Sequence, residues 1–132
     1  METNPLIKKL RIQPGQRLLI LNAPEGYLSN LGQLPDGVEV KDVPDGVFDF
    51  VQVFVKSITE LEKQVPVAIK AVKYDGLLWI CYPKQSSGIK TDINRDTGWS
   101  VVQKAGLRPV TQVAIDDTWS ALRFRPVERV GS

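Results

Sequence analysis

The stretch Phe48-Asp49-Phe50-Val51-Gln52-Val53-Phe54-Val55 decides the fold. It is almost continuously apolar and rich in β-branched and aromatic residues, the composition of a strand covered on both faces. Such a strand requires helices above and below its sheet. Downstream, Ser57 and Glu60 have the spacing of a capping box, and Leu61, Val65, Ala68, Ile69 and Val72 then recur at helical intervals. Pro66 is expected to kink or restart this helix, and Tyr74-Asp75-Gly76 to close it. Leu77-Leu78-Trp79-Ile80-Cys81-Tyr82 then reads as a second buried strand.

Upstream, residues 37–41 alternate Val38 and Val40 with Glu39 and Lys41, as an edge strand with one covered face would. Residues 17–21 form another apolar strand. Its exit, Asn22-Ala23-Pro24-Glu25-Gly26-Tyr27, leads into a stubby helix toward Leu31 that Gly32 stops. About fifteen residues separate these two strands, enough for a helical parallel crossover. Before them, Asn4 as cap and Pro5 in the first turn open a short helix carrying Leu6, Ile7 and Leu10, and Pro14-Gly15 turns the chain.

Beyond Tyr82 the chain enters the polar loop Pro83-Lys84-Gln85-Ser86-Ser87-Gly88-Ile89-Lys90-Thr91-Asp92-Ile93-Asn94-Arg95. A helix is expected to follow, with Thr91, Asp92 or Asn94 as cap, Trp99, Val102 and Ala105 facing inward, and Gly106 at its end. Residues 107–115 and 119–125 are two strands separated only by Asp116-Asp117-Thr118, which forces an antiparallel hairpin. In the second of them Leu122 and Phe124 read as buried, and Ala121, Arg123 and Arg125 as the polar face.

These elements specify one α/β domain over residues 1–132: a three-layer, doubly wound, mostly parallel six-stranded sheet with helices on both faces and a C-terminal antiparallel β-hairpin. Right-handed crossovers put strand 37–41 on one side of strand 17–21 and strands 48–55 and 77–82 on the other. The topological switch point then falls between the first and third strands, where ligands of such sheets tend to sit.

Composition narrows the chemistry mainly by what is missing. The 132 residues include no histidine, which excludes His-activated nucleophiles and His-containing zinc sites. Lone Cys81 lies in an apolar run and reads as a small buried residue. A net charge of +2 argues against nucleic acid as a partner unless the basic residues gather on one face. The N-terminus has no apolar signal-peptide core and no window suits a membrane span, so a cytoplasmic protein without a membrane partner is expected.

On a broader level the architecture resembles the class I methyltransferase core, through Pro14-Gly15-Gln16-Arg17-Leu18-Leu19-Ile20-Leu21, Phe48-Asp49-Phe50-Val51 and Asp75-Gly76-Leu77-Leu78-Trp79, with one strand and helix pair missing. A narrower resemblance covers nearly the whole chain. The phrases Leu21-Asn22-Ala23-Pro24-Glu25-Gly26-Tyr27, Tyr82-Pro83-Lys84, Ser86-Ser87-Gly88, Lys90-Thr91-Asp92 and Ala114-Ile115-Asp116-Asp117-Thr118-Trp119-Ser120-Ala121-Leu122-Arg123-Phe124-Arg125-Pro126 resemble a family of small uncharacterised bacterial proteins classed as a domain of unknown function. That family implies a fold and marks these segments, without implying a mechanism.

Parallel topology brings the turn 22–27, Lys56-Ser57, the loop 84–95 and residues 116–120 to one rim. The ligand-binding candidates there are Asn22, Glu25, Tyr27, Lys84, Ser86, Ser87, Lys90, Asp116, Asp117 and Trp119. The serines and lysines offer donors and charge to an anion, without the glycine spacing of a P-loop. The same residues also serve turns: adjacent acids such as Asp116 and Asp117 commonly cap backbone groups, and Trp119 can anchor the hairpin. The resulting expectation is a non-enzymatic binding module for an anionic or nucleotide-like ligand or a protein partner, with no catalytic residue, metal or cofactor assigned. One alternative, implied by the methyltransferase resemblance, is a reduced S-adenosylmethionine-dependent enzyme with Asp116 or Asp117 as base, the turn 22–27 near the cofactor and Asp42 toward its ribose. The methyltransferase glycine-rich turn is reduced here to Gly26. A nucleic-acid-binding accessory protein, using Lys8, Lys9, Arg11, Arg123 and Arg125, is a further alternative.

Overall fold

A computed structural model describes residues 5–94 and 97–130. Asn4, the expected cap of the first helix, and Arg95, the end of the long loop, lie outside the described residues. Six strands, β1 (Arg17–Leu21), β2 (Glu39–Lys41), β3 (Phe48–Phe54), β4 (Val72–Pro83), β5 (Leu107–Ala114) and β6 (Trp119–Pro126), form one sheet in the order β2-β1-β3-β4-β6-β5. The pairs β1 with β2, β1 with β3 and β3 with β4 are parallel, and β6 runs antiparallel to β4 and to β5. This is the expected doubly wound α/β sheet with its C-terminal hairpin.

Side-chain alternation divides the core into two layers. Leu19, Leu21, Val51, Val53, Leu78 and Ile80 pack with helices α3 (Ile58–Ala71) and α4 (Ser100–Lys104) on one face. Leu18, Ile20, Phe50, Phe54, Trp79 and Cys81 pack with α1 (Pro5–Lys9) and α2 (Tyr27–Leu31) on the other. The Trp79 indole N–H donates to the Leu10 carbonyl at 3.1 Å, which fastens the end of the α1 segment to the sheet centre. At the start of α3 the Ser57 hydroxyl accepts the Glu60 N–H at 3.1 Å, while the Glu60 carboxylate accepts the Lys56 N–H at 2.8 Å, one residue earlier than a standard capping box.

Several local expectations are corrected. Helix α3 does not restart at Pro66 but runs through it as one element, with Leu61, Val65 and Ala68 of its apolar stripe packed in the core on both sides of the proline. It ends at Ala71, so Tyr74-Asp75-Gly76 lies inside β4, where the register to β3 jumps from Phe48↔Val72 to Phe50↔Leu77 and Asp75 takes φ 55°. The helix after the long loop begins only at Ser100, and none of Thr91, Asp92 or Asn94 caps it. Asp92 caps a different helix: its carboxylate accepts the Ile58 N–H, the first of α3, at 2.8 Å. Trp99 and Val102 are buried as expected, but Ala105 is exposed at the C-terminal end of the single-turn α4. Arg123 belongs to no solvated face and is buried.

Candidate functional site

The carboxyl ends of β1, β3 and β4 reach one edge of the sheet, and the start of β6 returns there. A cleft of about 600 Å³ opens at this edge, over the switch point between β1 and β3. One wall is the turn after β1, with Asn22, Ala23, Pro24 and Glu25. Lys56 and Glu60 line the cleft too, and Phe54, Trp119 and Ile89 supply apolar surface. Phe54 and Trp119 meet edge to face, ring centroids 5.1 Å apart, so the cleft floor is continuous with the hydrophobic core.

The turn after β1 has a special backbone. Asn22 takes φ 58° and Gly26 φ 82°, conformations that asparagine and glycine tolerate best. Proline at 24 has no N–H to give. Among the described residues, the N–H groups of Ala23 and Glu25 bond no protein acceptor, and the side chains of Lys56 and Glu25 make no ion pair. The cleft is therefore lined by a lysine and a glutamate without ion pairs and by two residues whose backbone N–H groups have no protein acceptor among the described residues, together with apolar side chains.

Beneath the floor lies a buried polar chain. The Tyr27 hydroxyl donates to Gln52 Oε1 at 2.9 Å, and Gln52 Nε2 donates to Cys81 Sγ at 3.3 Å. Burial raises the Tyr27 pKa above its ordinary value, and Cys81, itself buried, adds to this. Burial likewise pushes the Cys81 thiol up to about 12, so it stays protonated and unreactive at neutral pH. Tyr27 is thus a core residue under the cleft rather than part of its wall.

The remaining candidates separate. Lys84 and Ser86 line a second cleft of about 510 Å³ with Tyr82, Pro83, Gln85, Asn94, Gln112 and Ser120. There the Gln112 amide donates to the Tyr82 hydroxyl at 3.0 Å. Ser87 shapes the short 3₁₀ turn Gln85–Ser87: its hydroxyl donates to the Lys84 carbonyl at 2.6 Å and accepts the Ile89 N–H. Lys90 and Asp117 are exposed and line neither cleft. One carboxylate oxygen of Asp116 accepts the Thr118 and Trp119 N–H groups, each at 2.8 Å, so Asp116 holds the hairpin turn and thereby Trp119. Asn22, Glu25 and Trp119 therefore meet in one cleft, and Lys84 and Ser86 in another. Asp42, exposed beyond β2, does not line the first cleft. Phe54, Glu60 and Ile89 were not singled out from the sequence. For Gln52 a signal existed, since an amide inside a doubly covered strand must find buried partners.

A third, smaller cavity of about 250 Å³ lies at the opposite edge, walled by Ile69, Leu78, Leu107 and Phe124. Its polar neighbours are engaged with one another: Tyr74 donates to Glu128 at 2.9 Å, and Asp75 holds Arg125 through two bonds of 2.8 and 2.9 Å.

No family model and no curated protein matches the sequence. Solved structures do match. A fibrillarin pre-rRNA processing protein from Methanococcus jannaschii superposes with a TM-score of 0.61 at 13% identity, over 86% of this chain and 68% of that one. An S-adenosylmethionine-dependent methyltransferase from Aquifex aeolicus does so with a TM-score of 0.58 at 16% identity, over 91% of this chain and 87% of that one. The N-methyltransferase NodS from Bradyrhizobium japonicum, in complex with S-adenosyl-L-homocysteine, gives 0.55 at 14%, over 92% and 83%. At these identities the likeness is one of fold, and the chain has the methyltransferase-like Rossmann fold.

Proposed function

We propose that the cleft over the β1/β3 switch point binds a zwitterionic nucleoside of the S-adenosylmethionine and S-adenosylhomocysteine class. The observation that carries this reading is the pairing, in one cleft of about 600 Å³, of the unpaired Lys56 ammonium and Glu25 carboxylate with the unclaimed Ala23 and Glu25 N–H groups. A cleft of roughly 300 to 1,000 Å³ with a few convergent polar groups on apolar walls suits a ligand of that size. An amino-acid moiety presents one carboxylate and one ammonium, which Lys56 with the free amides and Glu25 are chemically able to receive. Phe54, Trp119 and Ile89 offer the nucleoside an apolar surface.

The residues present fit the amino-acid end of this cofactor. They depart from the usual pattern at the ribose, because Asp42 does not reach the cleft, and at the glycine turn, where a Cβ on Gly26 would meet nothing within 4 Å. When bound, S-adenosylmethionine supplies an electrophilic methyl group. In this chain Lys56 and Glu25 would orient the ligand, and the buried Tyr27-Gln52-Cys81 chain would hold the floor in place. No side chain of the cleft is assigned the removal of a proton.

Calorimetry with S-adenosylhomocysteine, S-adenosylmethionine, adenosine and methionine tests the reading. The expected result is binding of the two complete ligands, weaker or undetectable binding of the fragments, and loss of binding on Lys56→Ala or Glu25→Gln. No heat and no thermal shift at millimolar S-adenosylhomocysteine would overturn it. Transfer of a labelled methyl group to any acceptor separates an enzyme from a binding module that uses the same cleft.

A further inference from the structure

The sheet interior holds one charged side chain among the described residues, Arg123 on β6, only 9% exposed. It stands opposite Trp79 of β4 and Thr111 of β5. Leu122 and Phe124 belong to the core layer under α3 and α4, so Arg123 points to the other face, with Ala121 and Trp119, toward α1. Among the described residues its guanidinium makes no ion pair, and of its three nitrogens only Nε is both enclosed and without an acceptor. The charges near enough to act on it are unhelpful. Arg11 and Arg125 oppose it, and Asp75, which favours it, already engages Arg125 and, at 3.3 Å, Arg129.

A guanidinium cannot shed its proton to escape burial. An uncompensated buried charge is among the most expensive features a fold can carry. A second cation beside it raises that cost. Arg11 arrives there because the Trp79–Leu10 bond fixes the α1 end over the sheet, and Arg11 closes that end with φ 66°. Its side chain is exposed and makes no ion pair among the described residues. Two guanidiniums without an ion pair among the described residues, one largely buried and one at the surface, are matched by an oxyanion that accepts from the terminal nitrogens of the first and is covered by the second.

We infer that Arg123 and Arg11 form an oxyanion site where the α1 segment crosses β6, taking a phosphate or carboxylate group. It is separate from the cleft of Lys56 and Glu25 and does not depend on what that cleft binds. Thermal unfolding of the full chain at constant ionic strength, in chloride, phosphate or acetate, tests it with Arg123→Met and Arg11→Gln. Phosphate also stabilises proteins generally, so the site is read as the increment of the native chain over that of Arg123→Met. The expected excess is about 8 °C or more at a hundredfold excess over Kd. It should shrink in Arg11→Gln and persist in Lys56→Ala. An excess in phosphate alone identifies a phosphoryl ligand, and one in acetate also identifies a carboxylate. Equal increments in the native chain and Arg123→Met would overturn the site. If Arg123→Met does not fold, an undiminished increment in Arg11→Gln would do so instead.

Discussion

At the amino edge of the sheet, Asp49 accepts the Arg17 N–H at 2.8 Å and pairs with Lys73 at 3.1 Å, and Asp75 holds Arg125 and Arg129. At the carboxyl edge, Glu25, Lys56, Lys84, Lys90 and Asp117 enter no ion pair among the described residues, and the carboxylates that do bond, Glu60, Asp92 and Asp116, accept backbone N–H groups. The two edges carry similar residue types and use them differently. Charges at the amino edge close on one another around a small apolar cavity; those at the carboxyl edge either cap the backbone or stay available around a larger cleft. The difference divides the carboxyl edge into a structural floor and a free rim, and that division can be tested residue by residue.

The largest effect should come from the floor. Trp119 is 6% exposed and packs edge to face on Phe54, so Trp119→Ala should cost roughly 3 to 5 kcal/mol in chemical denaturation, the range for truncating a large buried aromatic. A loss under about 1 kcal/mol would mean that the cleft floor is not part of the core, as a surface position would behave. Next is Gln52→Leu, which leaves the buried Tyr27 hydroxyl without its acceptor; about 1 to 3 kcal/mol should be lost. Tyr27→Phe in the same background should recover part of it, because the orphaned group is then gone.

Asp92→Ala sharpens the comparison at the loop itself. Asp92 accepts the first N–H of α3, and losing such a cap costs about 1 kcal/mol. Denaturant midpoints should fall while ligand binding in the first cleft is kept. The reverse pattern would place Asp92 on the rim instead.

How far these roles could be read from the sequence follows from the range of the interaction. The doubly covered β3 and the two-residue alternation of β6 are local, so the strand order and the hairpin followed from runs such as Phe48-Asp49-Phe50-Val51. Local spacing offers Asp92, with Thr91 and Asn94, to the helix that follows, whereas its actual partner, Ile58, is 34 residues away. Alternation puts Arg123 on a polar face because it marks faces but not what covers them; the α1 segment, tied down through Trp79 and Leu10, covers this one. The rim was legible as a set of loops from parallel topology alone. Its division into two clefts was not, because that depends on where Pro83 and Trp119 pair across the end of β4.

The amino edge should respond to acid. Hydrogen bonds from Arg125, then its charge and those from Arg129, hold the Asp75 pKa at about 2, against an ordinary 3.8. Because the folded value is the lower one, the stability it contributes is complete above the ordinary value and disappears as pH falls through about 2. Asp49, lowered chiefly by the Arg17 N–H, acts in the same direction. Unfolding free energy should therefore decline with falling pH across this window, and Asp75→Asn should flatten the decline. An unchanged slope would show that the amino-edge pairs are not fastened in solution.

The smallest stability effect belongs to the free rim, where it is most informative. The side chains of Lys56 and Glu25 make no ion pair among the described residues, so Lys56→Ala and Glu25→Gln should each change stability by no more than about 0.5 kcal/mol, as for surface positions outside any network. Their effect should appear only with ligand present. S-adenosylhomocysteine should raise the unfolding temperature of the native chain and raise it less, or not at all, in either variant, since stabilisation by a ligand scales with its occupancy of the folded state. If both variants lost stability without ligand, these charges would have protein partners and the two edges would be built alike. If neither altered the ligand-dependent shift, the free charges would be solvated surface, and the contrast between the edges would concern hydration rather than binding.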